Sequence, residues 1–131
     1  MSAQRMMKSI ERLALAVAAA AQEVDQIETE LLALEGKTCT GTIHWRPSDD
    51  GSAPMMYANH KYGMSCPMHG APKVSNGRLR VYVGKKPERQ AAVTEAMTLN
   101  KRKLTLLHRR SILGNALDHT YRIDQATAKL K

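Results

Sequence analysis

Four residues in this chain combine a metal-binding side chain with a suggestive spacing: Cys39, His44, Cys66 and His69. Cys66-Pro67-Met68-His69-Gly70 reads as a tight knuckle that aims two ligands at one ion, with His69 standing where a second cysteine is commoner. Thiolate sulfur and imidazole nitrogen both suit tetrahedral zinc. Cys39 and His44 complete a Cys2His2 set, and His60 is the alternative to His44. On an extended strand, residues five apart point to opposite faces, so Cys39 and His44 meet only if a bulge at Gly41 turns the chain. A zinc cofactor would also stabilise a small β region that buries little surface. Two cysteines cannot build a disulfide scaffold, and reduced thiols in a cytoplasmic setting are the expectation.

A second constellation is cationic. Lys101, Arg102 and Lys103 recur seven residues on as His108, Arg109 and Arg110. Residues seven apart share a helix face, so this is a stripe two turns long that suits a phosphate backbone. Arg78 and Arg80 add charge on a neighbouring hairpin. Trp45, Tyr57, Tyr62 and Tyr82 lie among these charges. Rings so placed can stack on unpaired bases, although each taken singly is expected first as core. The competing reading of the stripe is a solvated face, or one paired with Glu23, Glu28, Glu30 and Glu35.

Catalytic signatures are missing from the sequence. No Gly-rich phosphate loop and no His-Glu-x-x-His occurs, and Asp49-Asp50 sits in a Pro/Gly turn. Ser65 beside Cys66, with His60 and His69 near, reads more simply as part of a zinc site than as a nucleophile. The expectation is a protein that is not an enzyme.

Three segments must position these groups. Over residues 1–36, Met6, Ile10, Leu13, Val17, Ala20, Val24, Ile27, Leu31 and Leu34 alternate spacings of four and three. That unbroken heptad seam predicts a coiled-coil helix that pairs with a second copy or with the basic helix of this chain. Gly36 is placed to end it. Residues 37–86 read as a small antiparallel β region, with turns at Asp50-Gly51 and Asn76-Gly77. Leu79, Val81 and Val83 alternate with Arg80 and Tyr82 as a half-buried strand. Residues 87–131 read as basic helices, the first opening at Pro87 and stopping near Gly114, the second capped by Asn115. Val93, Met97, Leu104 and Leu107 form its expected inner face. One helix running through Gly114 is the alternative. The fold class is α+β.

From His69 to about Leu107, the order His-Gly, a basic hairpin ending Arg80-Val81-Tyr82-Val83, Lys86-Pro87-Glu88 and then a basic helix resembles a small uncharacterised prokaryotic family. Members are often found near mobile elements and carry Cys-rich and His-Gly-Pro-Tyr motifs before a Tyr-Val strand. This chain has Gly70-Ala71-Pro72 in place of Gly-Pro-Tyr and lacks the paired-Cys loop. The resemblance implies a phage, plasmid or transposon setting and assigns no functional residue.

Charge orders the function classes. The chain carries a formal net charge of +8, yet residues 1–36 hold six acidic against three basic residues, so the excess lies wholly in the rest. A cationic field of that size favours an anionic partner. The apolar run Leu13–Ala21 is far shorter than the roughly 20 residues of a membrane span, and Glu11 precedes it, so neither a signal peptide nor a membrane partner is expected. The leading expectation is a nucleic-acid-binding protein, DNA before RNA, using Arg78, Arg80, Lys101, Arg102, Lys103, Arg109 and Arg110. Ile10, Leu13, Val17, Val24, Ile27, Leu31 and Leu34 would form a homodimer seam. The second expectation is an adaptor or inhibitor that docks on a protein partner in a nucleoprotein complex, such as a phage counter-defence protein.

Overall fold

The structure, a computed structural model, describes residues 2–61, 73–75 and 78–129. Tyr62, Ser65, Cys66, His69, Asn76, Gly77 and Leu130 lie outside the described residues. The element order is α1 (Ala3–Leu34), β1 (Thr42–Arg46), β2 (Met55–His60), β3 (Lys73–Ser75), β4 (Arg78–Gly84) and α2 (Pro87–Ala128). The strands form one antiparallel sheet in the order β1-β2-β4-β3. The α+β class is therefore observed. No helix among the described residues is long and apolar enough to cross a membrane.

The chain divides into two compact units that cut across the three expected segments. One is Leu34–Leu104; the other joins Met1–Ala33 to Thr105–Lys131, so α2 contributes to both. In the first unit, β2 shows strict alternation, with Met56, Ala58 and His60 buried and the residues between them half-buried. The start of α2 covers that face with Val93, Ala96 and Met97, and Val83 and Cys39 close the core. Helix and chain are stitched by polar contacts. The Cys39 N–H donates to the Ala96 carbonyl at 3.0 Å, and Gln90 Nε2 donates to the Gly84 carbonyl at 2.8 Å. A bulge separates the Met56–Gly84 and Tyr57–Tyr82 pairs, and Gly84 meets it with a positive φ of 110°. Among the described residues the core contains no aromatic ring: Trp45 and Tyr82 are 48% and 52% exposed, which corrects the expectation that these rings fill it.

In the second unit, α1 and the latter part of α2 lie side by side. Leu13 and Val17 line a groove with Ala116 and Leu117, while Glu23 and Glu28 reach Arg109 and Arg110, so the helices run antiparallel. Ile27, Leu106 and Leu113 are buried here. The seam of α1 is thus covered from its own chain over its later turns, and Met6, Ile10 and Leu13 remain more than half exposed. Gly36, with φ 76°, ends α1, and the Lys37 N–H caps the Leu34 carbonyl at 3.0 Å.

Two expectations for α2 are corrected. The helix continues through Gly114, where nothing lies within 4 Å of a would-be Cβ. A mid-helix glycine costs about 1 kcal/mol against alanine, which packing along the rest of the helix outweighs. Leu104 is 58% exposed; Leu106 takes the buried position, with Leu107 half-buried.

The Glu23–Arg109 pair makes the helical unit sensitive to acid. Arg109 donates to both Glu23 oxygens, at 2.9 and 3.1 Å, which holds the Glu23 carboxyl below its ordinary value of 4.5 and raises Arg109. A lowered carboxyl adds stability above its ordinary value and loses it as pH falls through the lowered one. Helicity is expected to melt at a lower temperature near about pH 3 than near about pH 6, and Glu23→Gln to flatten that dependence. Circular dichroism melts across this range check it.

Candidate functional site

Strand register sorts the sheet into two faces with different chemistry. Trp45 pairs with Met56 and Ile43 with Ala58, so these residues share the face that α2 covers. His44 pairs with Tyr57, Tyr57 with Tyr82, and Asn59 with Arg80, so these residues share the other face. Arg46, two residues on from His44, joins them.

That open face holds a compact aromatic and cationic cluster. The Tyr57 and Tyr82 rings lie 5.2 Å apart at 49°, a tilted pair of cross-strand neighbours. The Arg46 and Arg80 guanidinium carbons each stand 6.0 Å from the Tyr57 ring centroid, within cation–π range. Tyr57, Asn59, Arg80 and His44 are half-buried, while Arg46 and Tyr82 are exposed. The Asn59 side-chain oxygen and Arg80 Nε have no hydrogen-bond partner among the described residues. A polar atom shielded from water and left unpaired is uncommon and asks for an explanation.

The expected helical stripe is arranged differently. Arg109 and Arg110 are engaged by Glu23 and Glu28, with Arg110 Nη1 3.1 Å from Glu28 Oε1. This is the pairing with the acidic helix weighed against phosphate contact, and it engages both arginines with carboxylates. Lys101 and Arg102 are exposed, and Lys103 is half-buried. Arg80, of the expected phosphate set, lies on the open face, and the Arg78 backbone pairs with Ser75 in the edge strand. Arg46, Tyr57 and Tyr82 form the site that charge spacing alone did not single out. Their signal lay in strand parity, which becomes readable only when the register is known.

The metal-ligand candidates also separate by face. Cys39 is fully buried in the core, and its Sγ accepts a hydrogen bond from the Gly41 N–H at 3.4 Å. His60 lies on the same buried face, 8% exposed, with the Thr40 hydroxyl 3.4 Å from its Nδ1. Gly41 joins the two groups, since a Cβ there would sit 2.8 Å from His60 Nε2. His44 lies on the open face with Tyr57, so His60, not His44, shares the buried side with Cys39. Cys66 and His69 lie outside the described residues. Among the described residues no group of three His, Cys, Asp or Glu side chains is clustered.

Gly41→Ala is expected to strain this corner. The added methyl would meet the His60 ring and, at 3.2 Å, the Asn59 carbonyl, and backbone cannot give way as a flexible tip can. Overpacking of this kind costs about 1–3 kcal/mol. Urea unfolding should show the loss, and the His60 ring signals in NMR should move.

Asp50 behaves as turn chemistry. Hydrogen bonds from the Ser52 hydroxyl and backbone N–H, with the Lys85 ammonium close by, hold its carboxyl at about 2. Comparison with protein-family models, curated proteins and solved structures finds no match to this chain.

Proposed function

We propose that this chain is a nucleic-acid-binding protein without enzymatic activity, and that its interface is the open face of the sheet. One observation carries the reading: Tyr57 stands between the Arg46 and Arg80 guanidiniums, beside Tyr82, on a face that α2 leaves uncovered. The arginines supply charge for phosphate, and the residues around them carry a basic excess, eight basic against two acidic over 37–86. Lys101 and Arg102 extend the field as secondary contacts; Arg109 and Arg110 serve the helical unit instead. The test is fluorescence anisotropy of labelled oligonucleotides at low salt, with affinity expected to fall steeply as salt rises. Absence of binding at low salt overturns the reading.

Zinc belongs to the proposal as a structural cofactor. Cys39 and His60 offer a thiolate and an imidazole on one side of the sheet, and the Gly41 N–H supports the sulfur. Cys66 and His69 are the remaining donors expected from the knuckle. Native mass spectrometry should show one zinc per chain, lost in Cys39→Ser and His60→Gln and kept in His44→Gln. A protein that carries no zinc adduct sinks the site.

The homodimer narrows to the start of α1. Met6, Ile10 and Leu13 continue the heptad seam and are 51%, 58% and 54% exposed, beside the groove lined by Leu13, Val17, Ala116 and Leu117. A second copy covering this end doubles the mass in light scattering. The same exposed end favours a second reading, an adaptor or inhibitor docked on another protein. A monomeric mass with a nuclease-insensitive, stoichiometric partner in a pull-down selects that reading.

A further inference from the structure

The reading above leaves open which form of nucleic acid the sheet face takes. We infer that it takes unpaired bases of a single strand, with Tyr82 as the stacking surface and Arg46 and Arg80 on the flanking phosphates. This rests on the nucleic-acid reading and goes beyond it in naming the ligand class.

Three observations on the same face carry the inference. The first is shape. The sheet has four strands, so its outer strand axes stand about 14 Å apart at about 4.8 Å per spacing. A duplex major groove is about 12 Å wide and admits a helix or a two-stranded ribbon. The face is therefore too broad to enter a groove and reads nothing from paired bases, whose π-faces are already stacked.

The second is the ring geometry. Tyr82 is 52% exposed, and Tyr57 braces it from the adjacent strand at 5.2 Å. Tyr57 in turn holds two guanidiniums at 6.0 Å. An aromatic ring presented on a strand with fixed cations at its side matches a base and the phosphates around it. Base–aromatic stacking tolerates every base, because each has a π-face.

The third is polar. Asn59 Oδ1 and Arg80 Nε, on directly paired residues, have no hydrogen-bond partner among the described residues. They are an acceptor and a donor shielded from solvent, so a base meets them as the side chains turn outward. The edge of an unpaired base carries both complements, whereas a paired base has its Watson–Crick edge already used.

The experiment uses the full chain and four probes: single-stranded DNA and RNA of one sequence, about a dozen nucleotides long, and the blunt DNA and RNA duplexes of the same sequence. Anisotropy is expected to show each single strand bound at least about tenfold tighter than its duplex. Tyr82→Leu should weaken single-strand binding by about five- to 150-fold, the range of one stacked base, and leave duplex binding unchanged. Tyr82→Phe keeps the ring and should keep the affinity. Trp45→Leu removes an equally exposed ring from the opposite face and should change nothing. The two single-strand arms tell whether DNA or RNA is the natural source, by whichever binds tighter. Equal binding of single strand and duplex, or full affinity in Tyr82→Leu, overturns the stacking inference and leaves the nucleic-acid reading standing. Failure of all four probes overturns both.

Discussion

Met56→Ala is expected to cost about 2–5 kcal/mol of stability, the range for removing a fully buried long apolar side chain. Met56 is completely buried at the centre of a core made with Cys39, Ala58, Val83, Val93, Ala96 and Met97. Among the described residues that core has no ring to absorb the loss, and its other members are small or on elements fixed by hydrogen bonds. Cys39 is tied to Ala96 and Gln90 to Gly84, so collapse around the cavity is restricted. For a protein whose whole stability is of order 5–15 kcal/mol, the midpoint should fall by about 10 °C or more. Leu104→Ala is the comparison: Leu104 is 58% exposed, and its truncation should stay within about 0.5 kcal/mol. Urea denaturation of both variants gives the measurement. A Met56→Ala loss below about 1 kcal/mol would place the core elsewhere.

Neutralising two arginines on the sheet face should separate the candidate interfaces. Arg46→Gln with Arg80→Gln removes both guanidiniums from Tyr57. Affinity for a single-stranded oligonucleotide should drop by about tenfold or more at low salt. The slope of log affinity against log salt should fall by about 0.7 for each arginine that meets a phosphate. Arg109→Gln with Arg110→Gln should act oppositely. Those side chains are held by Glu23 and Glu28, so binding changes little while the helical unit melts earlier. A salt slope that drops only for the helix variant would return the interface to the stripe on α2. Glutamine avoids placing a carboxylate beside the half-buried Arg80.

Taken together, charge and aromatics divide the labour between the two units. The acidic helix α1 meets basic residues of α2 in one unit, which accounts for why a strongly basic chain carries an acidic segment. In the other, Arg46 and Arg80 lie on a sheet face with two tyrosines. Met6, Ile10 and Leu13 remain exposed at the start of α1.

Much of the local architecture was legible from the residues. The heptad spacing from Met6 to Leu34 marks α1, and Gly36 ends it, because only a residue at ease with positive φ closes a helix there. Asp50-Gly51 marks the first hairpin, and the alternation of Leu79, Val81 and Val83 marks β4. Pro87 opens α2. These are one-dimensional signals, set by backbone sterics and by the period of each element.

What required the tertiary structure is every choice between partners distant in sequence. Parity puts His44 and Trp45 on opposite faces of β1, yet only the register against β2 shows which of them lies with Tyr57. The same register puts His60 rather than His44 on the side of Cys39. Leu104 falls outside the inner face of α2 because the seam runs through Lys103 and Arg110, both half-buried, whose long stems can cover apolar surface while the charge reaches water or a partner. The acidic residues of α1 named several arginines as partners, and helix packing selected Arg109 and Arg110. By itself the sequence determined the elements and the sign of their charge, since those depend on neighbours along the chain. The faces, the ion pairs and the Tyr57–Tyr82 cluster were decided only when strands and helices met, because burial and pairing are properties of distances that no local pattern contains.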